Sequence, residues 1–449
     1  MAERFDVREA AMYAFVVVAF VLISMYSSSI QSVTVTRYMD GDEYFAFTEQ
    51  LASGTTIRAE APYIYRVGLP WLVAHLYPQD IAFGFRLLNT VAAFAGVLLL
   101  VLWLRGFAIS RGLSILMAIL YMVQWVGPTR FVPYYPTYVD PPFIAFAFLG
   151  LILIHKIWMQ FSWTKAALLV VASFIGSLFR ETMIFIPLSF LFVTVRLGRS
   201  DAPRARVPML ARALPLVASI GSVILCHTQP AQPRRTISMI DNAVYLFERK
   251  PLWTLPLAVF ITFGPIVTLA VYEWRTGKSL LSQHVYLLVY VLGCTLTGYI
   301  GGHETERYFL WAAPLVYLLV ARAIASNRES LLHSAWVFMA LVCAQALSAR
   351  VFWGIPDPSM ELSGLNEMPD AATKAAALIN RLLVIDSFHG NLWSYFGSRP
   401  FHVLRLFLYA AFSAFLIWWL ERRKSEQRHE ASRSTLSPAV ARHTANFTE

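Results

Sequence analysis

The stretch Val91-Ala-Ala-Phe-Ala-Gly-Val-Leu-Leu-Leu-Val-Leu-Trp-Leu104 carries no charged side chain, and Arg105 closes it. Extended back to residue 84, it is one block long enough for a helix rising 1.5 Å per residue to cross ~30 Å of hydrocarbon. Apolar and polar positions do not alternate along it. It is therefore not a strand of a membrane barrel, whose spans show period-2 patterning. Ile144 to Ile154 reads the same way. Outward from these two runs, apolar blocks predict helices near 11–30, 84–104, 112–127, 142–158, 165–179, 182–196, 208–226, 253–272, 284–300, 307–325, 332–348 and 402–420, about twelve spans.

Composition agrees. Of 449 residues 57% are hydrophobic and 14% charged, and the mean hydropathy is +0.55, more apolar sequence than a water-soluble core absorbs. The net charge of +10 sits beside the apolar blocks and not as a stripe on a soluble domain, so a nucleic-acid partner is not expected. Cys226, Cys294 and Cys343 lie in or beside apolar blocks with no CxxC spacing, which predicts neither a disulfide framework nor a zinc site. The fold class is all-α and polytopic.

The first block ends on Ser27, Ser28 and Ser29 like a signal peptide. Its n-region mixes Arg4 and Arg8 with Glu3, Asp6 and Glu9, and the apolar run is long, so it reads as an uncleaved helix. Arg105 and Arg111, Lys156 and Lys165, the run 196–212, Arg275 and Lys278, and Arg322 and Arg328 fall in connections on one side. The positive-inside rule makes that side cytoplasmic. The tail 421–449 is basic and polar, which predicts an unstructured extension and places both termini in the cytoplasm. Its Asn446-Phe-Thr matches a glycosylation sequon on the wrong face. Residues 1–420 read as a single transmembrane domain of a bacterial inner membrane. The longest segments, 31–83, 227–252 and 349–401, are external, and chemistry is expected there.

The first helix empties into Arg37-Tyr-Met-Asp40-Gly-Asp42-Glu43-Tyr44-Phe45. An acidic triplet is often an ordinary solvated loop. Clustered carboxylates also raise one another's pKa, and a partly desolvated one accepts a proton from an attacking hydroxyl or amine, or helps to bind a divalent cation. The next segment, Ala61-Pro-Tyr63-Ile-Tyr65-Arg66-Val-Gly-Leu-Pro70-Trp71-Leu-Val-Ala-His75, is too short and Pro-interrupted to span. It reads as interfacial, with Tyr63, Tyr65 and Trp71 at headgroup level and Arg66 placed to pair with a lipid phosphate.

Together these features resemble the GT-C superfamily of membrane glycosyltransferases, in which an acidic pair follows the first helix and precedes juxtamembrane helices. Asp42-Glu43-Tyr44-Phe45 looks like the Asp-Glu-x-Phe form of the protein O-mannosyltransferase and aminoarabinose transferase branches. Tyr65-Arg66 with Pro70-Trp71-Leu72 is similar to the segment that follows it in bacterial members. The resemblance implies a GT-C-like bundle with juxtamembrane helices in its first external loop, and transfer of a sugar from a polyprenyl-phosphate donor at the outer face. It makes Asp42 the expected base, Asp40 its competitor, and Glu43 a supporting group. No large soluble domain follows the last block, so a protein acceptor recognised by one is not expected.

Ionisable residues within spans mark function by default. Arg180-Glu181 separates two short apolar stretches, as a tight external hairpin or a break in the membrane. A structural salt bridge explains it equally well; in the resemblance, Arg180 faces the lipid phosphate, which its planar fork suits. Gly301-Gly-His303-Glu304-Thr-Glu306-Arg307-Tyr308-Phe309, with Pro314 downstream, looks like the Arg-Tyr segment of bacterial relatives. That makes Arg307 the expected phosphate ligand; His303 is a candidate assistant or metal ligand, although a lone histidine in a short loop is more often neither. Pro133-Tyr134-Tyr135-Pro136-Thr-Tyr138-Val-Asp140 supplies aromatic faces for a sugar or for the interfacial belt. Asp140 pairs with a site arginine or caps its helix, and capping is the expectation. Arg234, Arg235, Arg249 and Lys250 form an external basic group, and the loop 349–401, with Trp353, Asp357, Glu361, Trp393 and Tyr395, is expected to cover the cavity.

The sequence thus leads to a glycosyltransferase acting on a lipid or glycan acceptor at the bilayer, with Asp42, Asp40 and Glu43 for catalysis, Arg66, Arg180 and Arg307 for the donor phosphate, and Glu181, His303, Tyr65, Asp140 and Tyr135 in support. No cofactor is required, although the acids permit a divalent metal. A transporter or flippase, which needs no acidic cluster confined to one loop, and a polymerase of polyprenyl-linked glycans are the alternatives.

Overall fold

A computed structural model describes residues 6–37, 40–59, 62–196, 207–228, 239–358, 370–383 and 388–445, and every regular element among them is helical. α1 (Val7–Ile30) starts from Asp6, whose carboxylate accepts from Arg8 N. α2 (Asp40–Ser53) follows, and a 3₁₀ turn at Tyr63–Tyr65 leads to α3 (Gly68–Leu76), short helices where the sequence predicts them. α4 (Ile81–Gly106) is capped by Asp80, which accepts from Phe83 N at 2.9 Å. α5 (Arg111–Val123) and α6 (Pro128–Tyr134) share one interrupted span; α7 (Asp140–Met159), α8 (Trp163–Phe179), α9 (Phe185–Arg196), α10 (Met209–His227) and α11 (Met239–Arg249) follow. The second half continues with α12 (Thr254–Phe263), α13 (Val267–Tyr272), α14 (Trp274–Gln283), α15 (Val285–Ile300), α16 (Thr305–Phe309), α17 (Ala313–Ser326), α18 (Arg328–His333), α19 (Ala335–Ser348), α20 (Ala371–Leu383) and α21 (Arg399–Ala445).

The chain is an all-α polytopic membrane protein. Each of the twelve expected segments is helical, but among the described residues only seven helices are long and apolar enough to cross a bilayer unaided. An eighth arises if α14 and α15, bent by 108° at His284, count as one span; the stretches at α8, α9, α12 and α19 are shorter. The expected span 253–272 is broken. Gly264 adopts φ +76°, and Gln345 covers the break by donating to Phe263 O at 2.9 Å and accepting from Ile266 N at 3.2 Å. Side chains that take up freed backbone groups in this way make a broken helix tolerable in hydrocarbon. Helical backbone also continues to Ala445, through the tail that composition marked as unstructured; Asn446, Arg234, Arg235 and Glu361 lie outside the described residues.

α7 is buried along most of its length, whereas α1 and α21 expose most of theirs. Small residues set the close contacts around α7 and α8. A Cβ on Gly150 would lie 2.6 Å from Ile186 Cγ2, one on Gly176 2.9 Å from Met183, and the Ser177 and Ser219 hydroxyls join α8 to α10 at 2.6 Å. In lipid, where apolar burial drives no association, such close packing and interhelical hydrogen bonds hold helices together. Gly68 does the same for the short helices after α1, since a Cβ there would meet the Leu178 carbonyl at 3.1 Å. That contact seats the start of α3 on the end of α8.

Candidate active site

The seating of α3 on α8 has an electrostatic result. α8 ends at Phe179, Arg180 is extended, and a 3₁₀ turn begins at Glu181, so the pair occupies a break between helices. Arg66, just before α3, forks onto Glu181 with Nη2 at 2.6 Å and Nε at 3.0 Å, while its Nη1 donates to Tyr44 Oη at 2.9 Å. Burial works against the Arg66 charge, and Glu181 more than offsets it, raising its pKa above the ordinary value. Arg66, expected to pair with a lipid phosphate, meets this carboxylate.

Asp140 forms the centre. It is the first residue of α7, not the residue before it, so its carboxylate projects sideways and makes no cap. One oxygen accepts from Arg180 Nη1 and the other from Arg307 Nε at 3.0 Å. The expectation of a capping role is therefore corrected. Asp140, Arg180 and Arg307 are all buried. Aromatic faces enclose the two guanidiniums: Arg307 lies 4.2 Å from the Tyr138 ring centroid, and Arg180 lies 4.6 Å from that of Trp311 and 5.4 Å from that of Tyr308. Arg307 Nη1 further donates to Glu304 at 2.6 Å and to Asp40 at 3.3 Å.

Asp40 completes the constellation. Its Oδ1 accepts from Tyr63 Oη at 2.7 Å, and its side chain is 31% exposed, in contrast to the buried groups behind it. Tyr63, expected at headgroup level, thus hydrogen-bonds to this carboxylate. Burial and the adjacent Asp40 charge push its pKa up, which keeps the phenol protonated as a donor. Gly41 brings this end of α2 close to the loop before α7, for a Cβ there would lie 2.6 Å from Thr137 Oγ1 and 2.7 Å from Tyr135 Cε2. Asp42 is exposed. At about 100° per residue it sits ~200° around α2 from Asp40, whereas Tyr44 is only ~40° away.

Asp40, Asp140, Glu181 and Glu304 therefore converge with Arg66, Arg180 and Arg307, four acids against three bases. Burial raises the Glu304 pKa in spite of Arg307. Two donors remain over: Arg180 Nε and Arg307 Nη2 are buried and meet no acceptor among the described residues. An unmatched buried donor costs on the order of 1–3 kcal/mol.

Other expected residues lie apart. Tyr65 stacks on His227 at 3.7 Å. His303 packs against Tyr395 and Phe396 at 4.7 and 5.6 Å, and burial together with nearby Lys250 lowers its pKa. No three His, Cys, Asp or Glu side chains group as metal ligands among the described residues. Lys250 is buried and donates to the carbonyls of Gly298, Tyr299 and Gly302. The long loop reaches the site through Ser394 N, which donates to Glu306 at 2.7 Å. Glu304, Tyr44, Tyr63 and Trp311 are the additions; only the sequence proximity of Glu304 to Arg307 and of Tyr44 to the acids signalled any of them.

No family model matches the chain, and no curated protein matches it. Among solved structures it is similar to the crystal structure of the Archaeoglobus fulgidus oligosaccharyltransferase tethered by a disulfide to an acceptor peptide containing the NVT sequon. The identity is 10% and the TM-score 0.45, over 89% of this chain and 55% of that one. The chain thus spans about half the length of that protein.

Proposed function

We propose that this protein is a membrane glycosyltransferase that moves a sugar from a polyprenyl-phosphate-linked donor to a lipid or glycan acceptor at the outer face of a bacterial inner membrane. The observation that carries the reading is the pair of unmatched guanidinium donors, Arg180 Nε and Arg307 Nη2, beside a half-exposed carboxylate on Asp40. Asp40, in preference to Asp42, takes the proton of the acceptor hydroxyl or amine as that atom bonds to the anomeric carbon. The bond from that carbon to the phosphate oxygen breaks, and its electron pair leaves with the phosphate. Arg180 and Arg307 donate to phosphate oxygens and stabilise the growing negative charge, an effect strongest in a site walled by aromatic rings. Asp140 holds both forks in place. Arg66 and Glu181 brace the floor, and Tyr63 orients Asp40.

The test is reconstitution with a radiolabelled polyprenyl-phosphate sugar and lipid extracts as acceptor. The expected result is a new glycosidic product whose formation Arg307→Ala abolishes. Movement of lipid or solute across the liposome without glycosidic bond formation would establish a transporter instead. Chain elongation of a polyprenyl-linked glycan would establish a polymerase.

A further inference from the structure

The helices that carry the site also carry a basic cavity at their other ends. Lys156 lies sixteen residues beyond Asp140 on α7, and Lys165 fifteen residues before Arg180 on α8. These separations correspond to about 24 Å and about 22 Å of helix. Between α4, α7 and the start of α8 is a cavity of about 260 Å³ whose lining includes Leu102, Trp103, His155, Lys156, Gln160 and Lys165 and contains no Asp or Glu. Its wall is fixed: Trp103 Nε1 donates to Pro314 O at 2.8 Å, and His155 Nδ1 lies 3.1 Å from Tyr286 Oη. Lys165 Nζ donates to Gln160 O at 3.0 Å, an uncharged partner that leaves its charge uncompensated. Arg105 and Arg111, by contrast, are both paired with Glu9. Two apolar side chains of the lining, Leu102 and Met159, are exposed.

We propose that this cavity binds the phosphate head group of an anionic phospholipid from the leaflet opposite the active site. The two ammonium groups meet the phosphate, Gln160 and His155 meet its glycerol oxygens, and the acyl chains run down the face formed by Leu102 and Met159. Basic pockets between transmembrane helices suit such head groups, and each lysine near the surface contributes attraction that is lost when it is neutralised. The exposed apolar side chains of Leu102 and Met159 beside the cavity give the acyl chains of a bound lipid a surface to run along, and a soluble phosphate has no group to place there.

The test uses the full chain in nanodiscs of phosphatidylcholine with phosphatidylglycerol, and native mass spectrometry to count retained lipids. Wild type is expected to keep one phosphatidylglycerol that the double variant Lys156→Gln/Lys165→Gln releases, with about 30-fold weaker retention, and Lys156→Arg/Lys165→Arg is expected to restore it. The double variant Arg275→Gln/Lys278→Gln, which removes the same charge elsewhere, is expected to retain it. Equal loss in both charge-removed variants means general surface attraction and overturns the proposal, as does no loss in either. Stabilisation of wild type by inorganic phosphate in phosphatidylcholine alone, equal to that by phosphatidylglycerol, would assign a soluble anion instead. If the Lys156/Lys165 glutamine pair fails to fold, the arginine pair and the two single Gln variants carry the same comparison.

Discussion

Replacing Asp40 and Asp42 separately by asparagine separates two acids that lie two residues apart. Asp40→Asn keeps a carbonyl oxygen for Tyr63, whose hydroxyl donates at 2.7 Å, and loses a 3.3 Å charge contact with Arg307 on a side chain that is 31% exposed. Screened by solvent, that contact contributes about 1 kcal/mol or less, so the variant folds. An amide cannot take the acceptor's proton. Loss of a positioned general base slows the reaction by about 10²- to 10⁴-fold, or about 3–5 kcal/mol of barrier at 1.36 kcal/mol per tenfold. Asp42 is exposed on the other side of α2, and an exposed substitution of this kind changes stability by about 0.5 kcal/mol or less; its rate is expected to remain within about twofold of wild type. The assay is initial-rate transfer of labelled sugar in proteoliposomes matched for protein content. A slow Asp42→Asn beside an Asp40→Asn within tenfold of wild type would refute the assignment of the base.

Two further outcomes are expected. Asp140→Asn preserves shape but leaves the buried Arg180 and Arg307 without their shared counter-charge, which costs about 3–5 kcal/mol when a buried pair is broken; a thermal-unfolding shift in detergent equivalent to less than about 1 kcal/mol would contradict the bridging role. Burial and Lys250 hold the His303 pKa below its usual 6.5, so the unfolded chain takes up the proton first as pH falls. His303 therefore contributes a loss of stability on going below about pH 6.5, with none above it. His303→Gln is expected to flatten the melting temperature between about pH 7 and pH 5, and an unchanged slope would show that another group is responsible.

The site was legible in the sequence where charge stands against an apolar background. Arg180, Glu181 and Arg307 are conspicuous because ionisable groups are costly beside hydrocarbon, and all three lie in the cluster. Which acid after the first helix joins them was not legible, because the start of α2 at Asp40 fixes which face each carboxylate takes, and motif likeness favoured Asp42. Tyr63 read as an interfacial anchor because an aromatic beside the membrane has the same composition whether it meets lipid headgroups or a carboxylate.

By itself the sequence determined the all-helical membrane fold, since uncharged runs of that length have no other stable arrangement in a bilayer. It also marked the short helices after the first span and the residues whose charge demanded a partner. Only the tertiary structure decided the partners. Asp40, Asp140, Arg180 and Arg307 are joined because Gly41 and Gly68 let loops approach to contact distance and because α7 begins with Asp140 already inside it. Such contacts depend on where helices start and how closely backbones pass, and hydropathy carries neither quantity.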